Sequence, residues 1–180
     1  MPGAVFLRGN GIELRRVTPG DTEFLARNRN DPRVRGSFPD PTPPTRYGLE
    51  TSFDERYESD DHVSLLVCPT DEGGGDPVGM VALLRIDDVN GTAELGYWTT
   101  PDAQGEGYAT AGARRLLAYA FTERRLERVF ADALATNEAS RAVLETLGFV
   151  EEGRERAAFV QDGERVDRVN YGLLADEFEK

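Results

Sequence analysis

Between Glu94 and Phe121 the chain reads as a half-buried strand, a tight turn of small residues and a long amphipathic helix. The turn is Gln104-Gly105-Glu106-Gly107-Tyr108-Ala109-Thr110. A helix that begins there leaves its first backbone N–H groups without intrahelical partners and puts the positive end of its dipole behind them. Glycine lets the backbone approach whatever those groups bind. The turn is therefore a ready anion site, and pyrophosphate is an anion that engages several N–H donors together. Downstream, Ala113, Leu116, Leu117, Ala120 and Phe121 recur at offsets of three and four, which gives the helix a buried stripe.

The flanking segments fix the class of fold. Residues 12–17 alternate weakly and predict a first strand. Thr18 and Pro19 predict a helix start, with a hydroxyl cap, proline at the first helical position, and Phe24 and Leu25 turned to the core. Asn30-Asp31-Pro32 ends that helix, with a short helical piece through Arg35. Prolines make 39–44 an extended loop, and 45–57 is a second helical stretch. Residues 62–68 predict a strand, 69–77 an exposed turn, and 78–86, almost continuously apolar, the best candidate for a central strand. Asn90-Gly91 is a strong hairpin signal, so 92–98 returns antiparallel. After the long helix come a strand at 128–134, a helix at 137–147 stopped by Gly148, and strands at 149–160 and 164–173 around Asp162-Gly163. The expected fold is α/β (α+β), a single domain over 1–180. Its mixed, mostly antiparallel sheet carries a central parallel strand–helix–strand crossover and helices on both faces. Where parallel neighbours part, such a sheet opens a cleft.

Composition narrows the chemistry. The net charge is −12, and the only lysine is Lys180. Dispersed acid with so little lysine resembles proteins of salt-loving microbes; an acidic mesophile protein from a GC-rich genome reads the same way. Either source argues against a nucleic-acid binder, which needs a basic face, and favours a cationic partner. No apolar run reaches membrane-spanning length and the first ten residues are not a signal peptide, so the expected location is the cytoplasm. Cys68 and His62 are each alone and bracket an apolar run. They read as strand residues, with neither a disulfide nor a metal set to build on.

The glycine turn does not stand by itself. Upstream is Glu94-Leu95-Gly96-Tyr97-Trp98, and downstream Asn137-Glu138-Ala139-Ser140 leads to Leu147-Gly148-Phe149. Gln104 to Ala109 resembles the Gln/Arg-x-x-Gly-x-Gly/Ala loop of the GCN5-related N-acetyltransferase (GNAT) superfamily. The order of the motifs resembles its ribosomal-protein (Rim-type) branch, over nearly the whole chain from Ile12 to Tyr171. The resemblance implies an acyltransferase with acetyl-CoA as co-substrate and no metal. It places the pyrophosphate on Gln104, Gly105, Glu106, Gly107, Tyr108 and Ala109, with the Thr110 hydroxyl, and the pantetheine arm along Tyr97, Trp98 and Thr99, as an added strand would lie. Tyr97 and Trp98 alternatively line the acceptor groove or fill the core.

Acetyl transfer to an amine needs a neutral nitrogen, a stabilised oxyanion and a proton for the departing thiolate. Glu94 is the leading base; a solvated strand carboxylate or a receptor for the acceptor's ammonium are its other readings. Asn137 matches the family asparagine near the CoA arm and is equally a helix N-cap. Many members carry a proton-donating tyrosine where this chain has Leu144. The Rim-type serine matches Ser140, which is otherwise a helix-start hydroxyl. A second carboxylate of some Rim-type enzymes would fall at about Phe159. The acceptor implied by resemblance is a protein N-terminal α-amine, as in ribosomal proteins. A small amine (antibiotic, polyamine or amino acid) and a CoA-binding module without turnover are the alternatives. A homodimer, common in that family, is the self-association it would imply.

Overall fold

The computed structural model describes residues 2–36, 38, 42–70 and 75–179. Residues 39–41 of the predicted proline-rich loop and 71–74 of the predicted turn at 69–77 lie outside that set, as does Lys180. Among the described residues, eight strands form one sheet: β1 (Val5–Gly9), β2 (Ile12–Arg16), β3 (Val63–Pro69), β4 (Gly79–Asp87), β5 (Thr92–Thr99), β6 (Arg128–Leu134), β7 (Val150–Gln161) and β8 (Glu164–Leu174). Their spatial order is β1-β2-β3-β4-β5-β6-β8-β7. Every neighbouring pair is antiparallel except β5 and β6, which are joined by a crossover helix and run parallel. The expected class and crossover are present, and β4, the near-continuous apolar run, is interior as predicted.

Two layers of helix cover the sheet. The crossover helix α5 (Tyr108–Thr122) and α6 (Glu138–Thr146) share a core with Leu14, Val67, Val81, Leu95, Val129 and Tyr171. On the other face α1 (Thr22–Arg29), α2 (Pro32–Arg35), α3 (Arg46–Thr51) and α4 (Phe53–Tyr57) close a second core around Leu25, Val34, Leu49, Phe53, Leu66 and Trp98. α5 reaches close packing because Gly112 has no side chain. A Cβ there would lie 3.0 Å from methyls of both Val67 and Val81.

Several predicted boundaries move for local reasons. The helix expected at Thr18 opens as a single 3-10 turn, Pro19–Asp21, before α1. There the Asp21 carboxylate accepts from the Thr18 N–H and hydroxyl at 2.8 and 2.7 Å. The stretch predicted at 45–57 is two short helices, because Ser52 leaves helical geometry (φ −108, ψ 22). His62 falls just before β3, its Nδ1 2.7 Å from Asp61, while Cys68 is buried in the second core. Burial pushes the Cys68 thiol up to about 11, which removes it as a nucleophile. β1 is absent from the sequence reading. It pairs with β2 across Asn10-Gly11, both at left-handed φ (54 and 74), and buries only Leu7.

Candidate active site

The feature that positions the site is a fork between β5 and β6. Their parallel pairing consists of Thr92 with Arg128, Ala93 with Val129 and Glu94 with Phe130, and stops there. β5 continues from Leu95 to Thr99 paired only to β4, while β6 continues from Ala131 to Leu134 paired only to β8. The β6-facing edge of residues 95–99 is thus open backbone, able to pair with an amide-bearing chain. Tyr97, Trp98 and Thr99 all lie on this open stretch.

At the end of β5 the chain makes one 3-10 turn, Pro101–Ala103, and enters the glycine loop. Gly105 and Gly107 take φ +84 and +82, the left-handed region where a Cβ is strained, and a side chain built on either meets nothing within 4 Å. Gly107 is the N-cap of α5 and supplies no side chain. The first bond of the helix in this turn runs from the Ala111 N–H to the Gly107 carbonyl at 2.9 Å. The N–H groups of Tyr108, Ala109 and Thr110 are therefore helix-start donors with no capping side chain or first-turn acid in front of them. Gln104, Gly105, Glu106 and Gly107 are exposed, and Tyr108, Ala109 and Thr110 half-buried. The sequence-predicted loop residues are thus gathered at one open helix start, a cradle that suits a pyrophosphate.

Strand alternation then divides the remaining residues between the two faces. Tyr97 packs on the α5/α6 side. Its phenol oxygen is 2.9 Å from both the Ser140 carbonyl oxygen and the Ser140 Oγ. Burial pushes this phenol up to about 12, so it stays protonated. Ser140 is held in turn by Asn137, the α6 N-cap, whose Oδ1 accepts the Ser140 N–H at 3.1 Å. Behind them the fully buried Tyr171 hydroxyl accepts from Arg141 Nε at 3.0 Å. Leu144, which occupies the position of the family tyrosine, is wholly buried and carries no acid. Tyr97 and Ser140 instead form a hydroxyl pair spanning from β5 to α6.

Glu94 and Trp98 project to the opposite face. The Trp98 indole is buried against Phe24 (ring centroids 5.7 Å apart), which settles its side chain as core; what it offers the fork is backbone. Glu94 stands at the last paired position, its side chain 16% exposed and 2.5 Å from the Arg85 guanidinium. Burial pushes its carboxyl above the ordinary range; Arg85 opposes this, while Asp132, by charge and hydrogen bond, pushes it further up. A carboxyl raised in this way holds a proton more readily than an ordinary carboxylate does.

Arg85 reaches Glu94 through a β-bulge. The β4–β5 register breaks between Leu84 and Asp87, with Arg85 at φ +50. Leu84 is opposite Glu94 and shares its face; in a regular strand Arg85 would point away. Sequence reasoning missed Arg85, Asp132 and Arg168. Nothing in a linear pattern marks the bulge, and pairing Asp132 with Glu94 needs the β5–β6 register. Arg168 approaches Asp132 at 3.6 Å and lies 4.5 Å over the Phe159 ring, the place where some Rim-type relatives have a carboxylate.

Comparison with known proteins agrees with this fold. Residues 12–150 match the acetyltransferase (GNAT) domain family. A protein of Bacillus subtilis (strain 168), YdaF, provisionally named a ribosomal N-acetyltransferase, is 45% identical over 105 residues, which span 58% of this chain and 57% of that protein. A solved probable acetyltransferase shares 32% identity over 99% of both chains with a TM-score of 0.81. Spermidine N-acetyltransferase from Vibrio cholerae, solved with CoA and spermine, superposes with a TM-score of 0.85 at 24% identity, over 94% of this chain and 98% of that one. That last likeness is one of fold. Among the described residues there is no group of side chains suited to a metal and no helix long and apolar enough to cross a membrane. A family match running from β2 to the first residue of β7 takes in the fork, the glycine loop and both walls of the cleft; the chain belongs to the GNAT family of N-acetyltransferases, which use acetyl-CoA as co-substrate.

Proposed function

We propose that this acetyltransferase modifies the α-amine of a protein or peptide N-terminus, by direct transfer in a ternary complex with Glu94 as base and Ser140 as the proton donor. The fork carries the reading. Glu94 and Tyr97 lie on opposite faces of one strand, and only a gap between strands lets reactants contact both. On the α5/α6 side, the N–H groups from Gly105 to Ala109 and the Thr110 hydroxyl would hold the pyrophosphate. Gln104 opens that loop, and the open edge of Tyr97, Trp98 and Thr99 would pair with the amides of the arm. Asn137 fixes the start of α6 and hence Ser140. On the other side, Glu94 removes a proton from the acceptor's ammonium, and its nitrogen attacks the thioester carbon. The oxyanion is met by a backbone N–H of β5. The thiolate takes its proton from the Ser140 hydroxyl as Tyr97, its O–H turned from the Ser140 carbonyl to the Ser140 Oγ 2.9 Å away, passes its own proton to that oxygen. A thioester is already activated, so no covalent enzyme intermediate is needed.

The protein-terminus reading draws on the similarity to YdaF, whose name is ribosomal. A polyamine acceptor is the second reading, favoured by the net charge of −12, which draws cations to the surface, and by the likeness to a polyamine enzyme. Intact-mass detection of acetyl transfer to peptides with varied first residues, beside spermidine and spermine, separates the two. Acetylated polyamine with unmodified peptides would refute the first reading. Tight CoA binding without turnover on any amine would refute both and leave a CoA-binding module.

A further inference from the structure

Arg85 owes its place to a distorted strand. The β4–β5 register runs from Leu84 opposite Glu94 to Asp87 opposite Thr92, so Arg85 and Ile86 together stand against Ala93. The bulge sends Ile86 into the core shared with α5 and brings Arg85 to Glu94. It also holds Arg85 at φ +50, a left-handed conformation that strains a residue with a side chain. A cation is thus kept in strained backbone beside the base.

The contact is close but not enclosed. Arg85 Nη2 is 2.5 Å from Glu94 Oε2, yet the Arg85 side chain is 66% exposed and that of Glu94 only 16%. The Arg85 guanidinium also stands 5.6 Å from the centre of the ring of Phe130, the β6 partner of Glu94. That ring is a second support for the cation when it lets go of the carboxylate. The other charged groups acting on Glu94 are Asp132 from β6 and Arg168 from β8. Arg168 is engaged by Asp132 at 3.6 Å and by Glu155 of β7 at 3.7 Å, so Arg85 is the cation that meets Glu94 itself.

We propose that Arg85 is a removable counter-ion: it occupies the Glu94 carboxylate in the free enzyme, and the acceptor's ammonium displaces it on binding. The proposal rests on the reading of Glu94 as the base, and Arg85 acts in it as a positioning residue. A guanidinium keeps Glu94 ionised without being a proton source, because it does not deprotonate in proteins. The ammonium brings the same charge with a proton it can lose. In the step, an N–H bond of the ammonium breaks, an O–H bond forms on Glu94, and the nitrogen lone pair is freed for the thioester carbon. Arg85 keeps its own proton throughout and turns to solvent and Phe130. Its departure also strengthens the base. Burial raises the proton affinity of Glu94 and Arg85 opposes this, so Glu94 takes a proton more readily once Arg85 has left. An ion pair with one exposed partner is weak enough to be exchanged in this way.

The test compares the full chain as wild type, Arg85→Gln and Arg85→Lys. The Glu94 carboxyl is titrated by carbon NMR, its signal assigned by its loss in Glu94→Gln, first in the free protein and then with saturating CoA and amine (spermidine, then a peptide). In the free protein Arg85→Gln should titrate about one pH unit above wild type, and Arg85→Lys should restore the wild-type value. With the amine bound, all three should coincide, because the counter-ion has already left. Kinetics should divide the same way. In Arg85→Gln the acidic limb of kcat/KM, which reports the free enzyme, should move up by about one unit, while that of kcat, which reports the complex, stays in place. Above that limb KM for the amine should fall by about two- to fivefold, the competition having been removed. CoA affinity should be the same in all three proteins, which reports an intact fold. Equal titrations in the free proteins would overturn the proposal. So would a difference that persists with amine bound, with both limbs moving together, since Arg85 would then be a fixed partner of Glu94. A wild-type acidic limb in Glu94→Gln would overturn the base assignment alone, because the NMR comparison reads the displacement without turnover.

Discussion

Tyr97→Phe tests how this chain manages without the family tyrosine. The substitution removes one oxygen and leaves the ring packed between β5 and α6. That oxygen makes two contacts of 2.9 Å, to the carbonyl and to the hydroxyl of Ser140. One phenol can donate once and accept once, so two neutral, part-buried hydrogen bonds are lost. At about 0.5–1.5 kcal/mol each, the fold should lose roughly 1–3 kcal/mol, and for a chain of this size the midpoint of thermal unfolding should fall by about 2–12 °C. The effect on rate is separate. A positioned acid contributes about 10²–10⁴-fold, and Ser140→Ala should remove that. If Tyr97 passes its proton to Ser140 as Ser140 gives up its own, Tyr97→Phe should lower the single-turnover rate of thiol release by about tenfold or more, and Tyr97→Phe/Ser140→Ala should be no slower than Ser140→Ala. The assay is thiol appearance under saturating acetyl-CoA, with CoA affinity measured alongside. Burial holds the phenol at about 12, so no alkaline limb from Tyr97 should appear below that pH. A wild-type single-turnover rate in Tyr97→Phe, with only the midpoint lowered, would reduce Tyr97 to a strand–helix fastener and refute the relay.

Two further outcomes follow from the same site. Gly107→Glu puts a side chain on a residue at φ +82 and a negative charge in front of the α5 N–H groups, so the dissociation constant for CoA should rise by about a hundredfold or more while the circular dichroism stays native; near-normal affinity would place the pyrophosphate elsewhere. Glu94→Gln should leave CoA affinity unchanged and lose the acidic limb of kcat/KM, because the wild-type rate rises as pH climbs through a carboxyl held above its ordinary range. The deficit should shrink as pH approaches the acceptor amine's own pKa, where the amine no longer needs a base.

Much of this was legible from order and spacing, because each signal was local. Asn90-Gly91 sets the β4–β5 hairpin, the glycine turn sets the start of α5, and Asn137 caps α6 three residues before Ser140. β1 had the same local signal in Asn10-Gly11, but as an edge strand burying one side chain it shows almost no alternation. The non-local parts were not legible. Whether Trp98 lines the groove or fills the core depends on Phe24, which arrives from α1. The partners of Glu94 depend on a bulge at Arg85 and on the β5–β6 register. The Tyr97–Ser140 contact joins residues that are 43 apart and that no shared periodicity links.

The short seam between β5 and β6 also has a mechanical meaning. β1 to β5 form one stiff antiparallel plate, and β6, β8 and β7 form another. Sheet bonding joins the plates only along Thr92–Glu94 and Arg128–Phe130, with helices bridging above. Widening or narrowing the cleft is then a rotation about that seam, and no other strand pair need break. Glu94 lies at the seam and would move least in such a rotation, whereas Thr99 and the glycine loop lie farthest along the open limb and would swing most. Such a rotation would change the entrance for the cofactor and leave Glu94, the proposed base, close to where it stands.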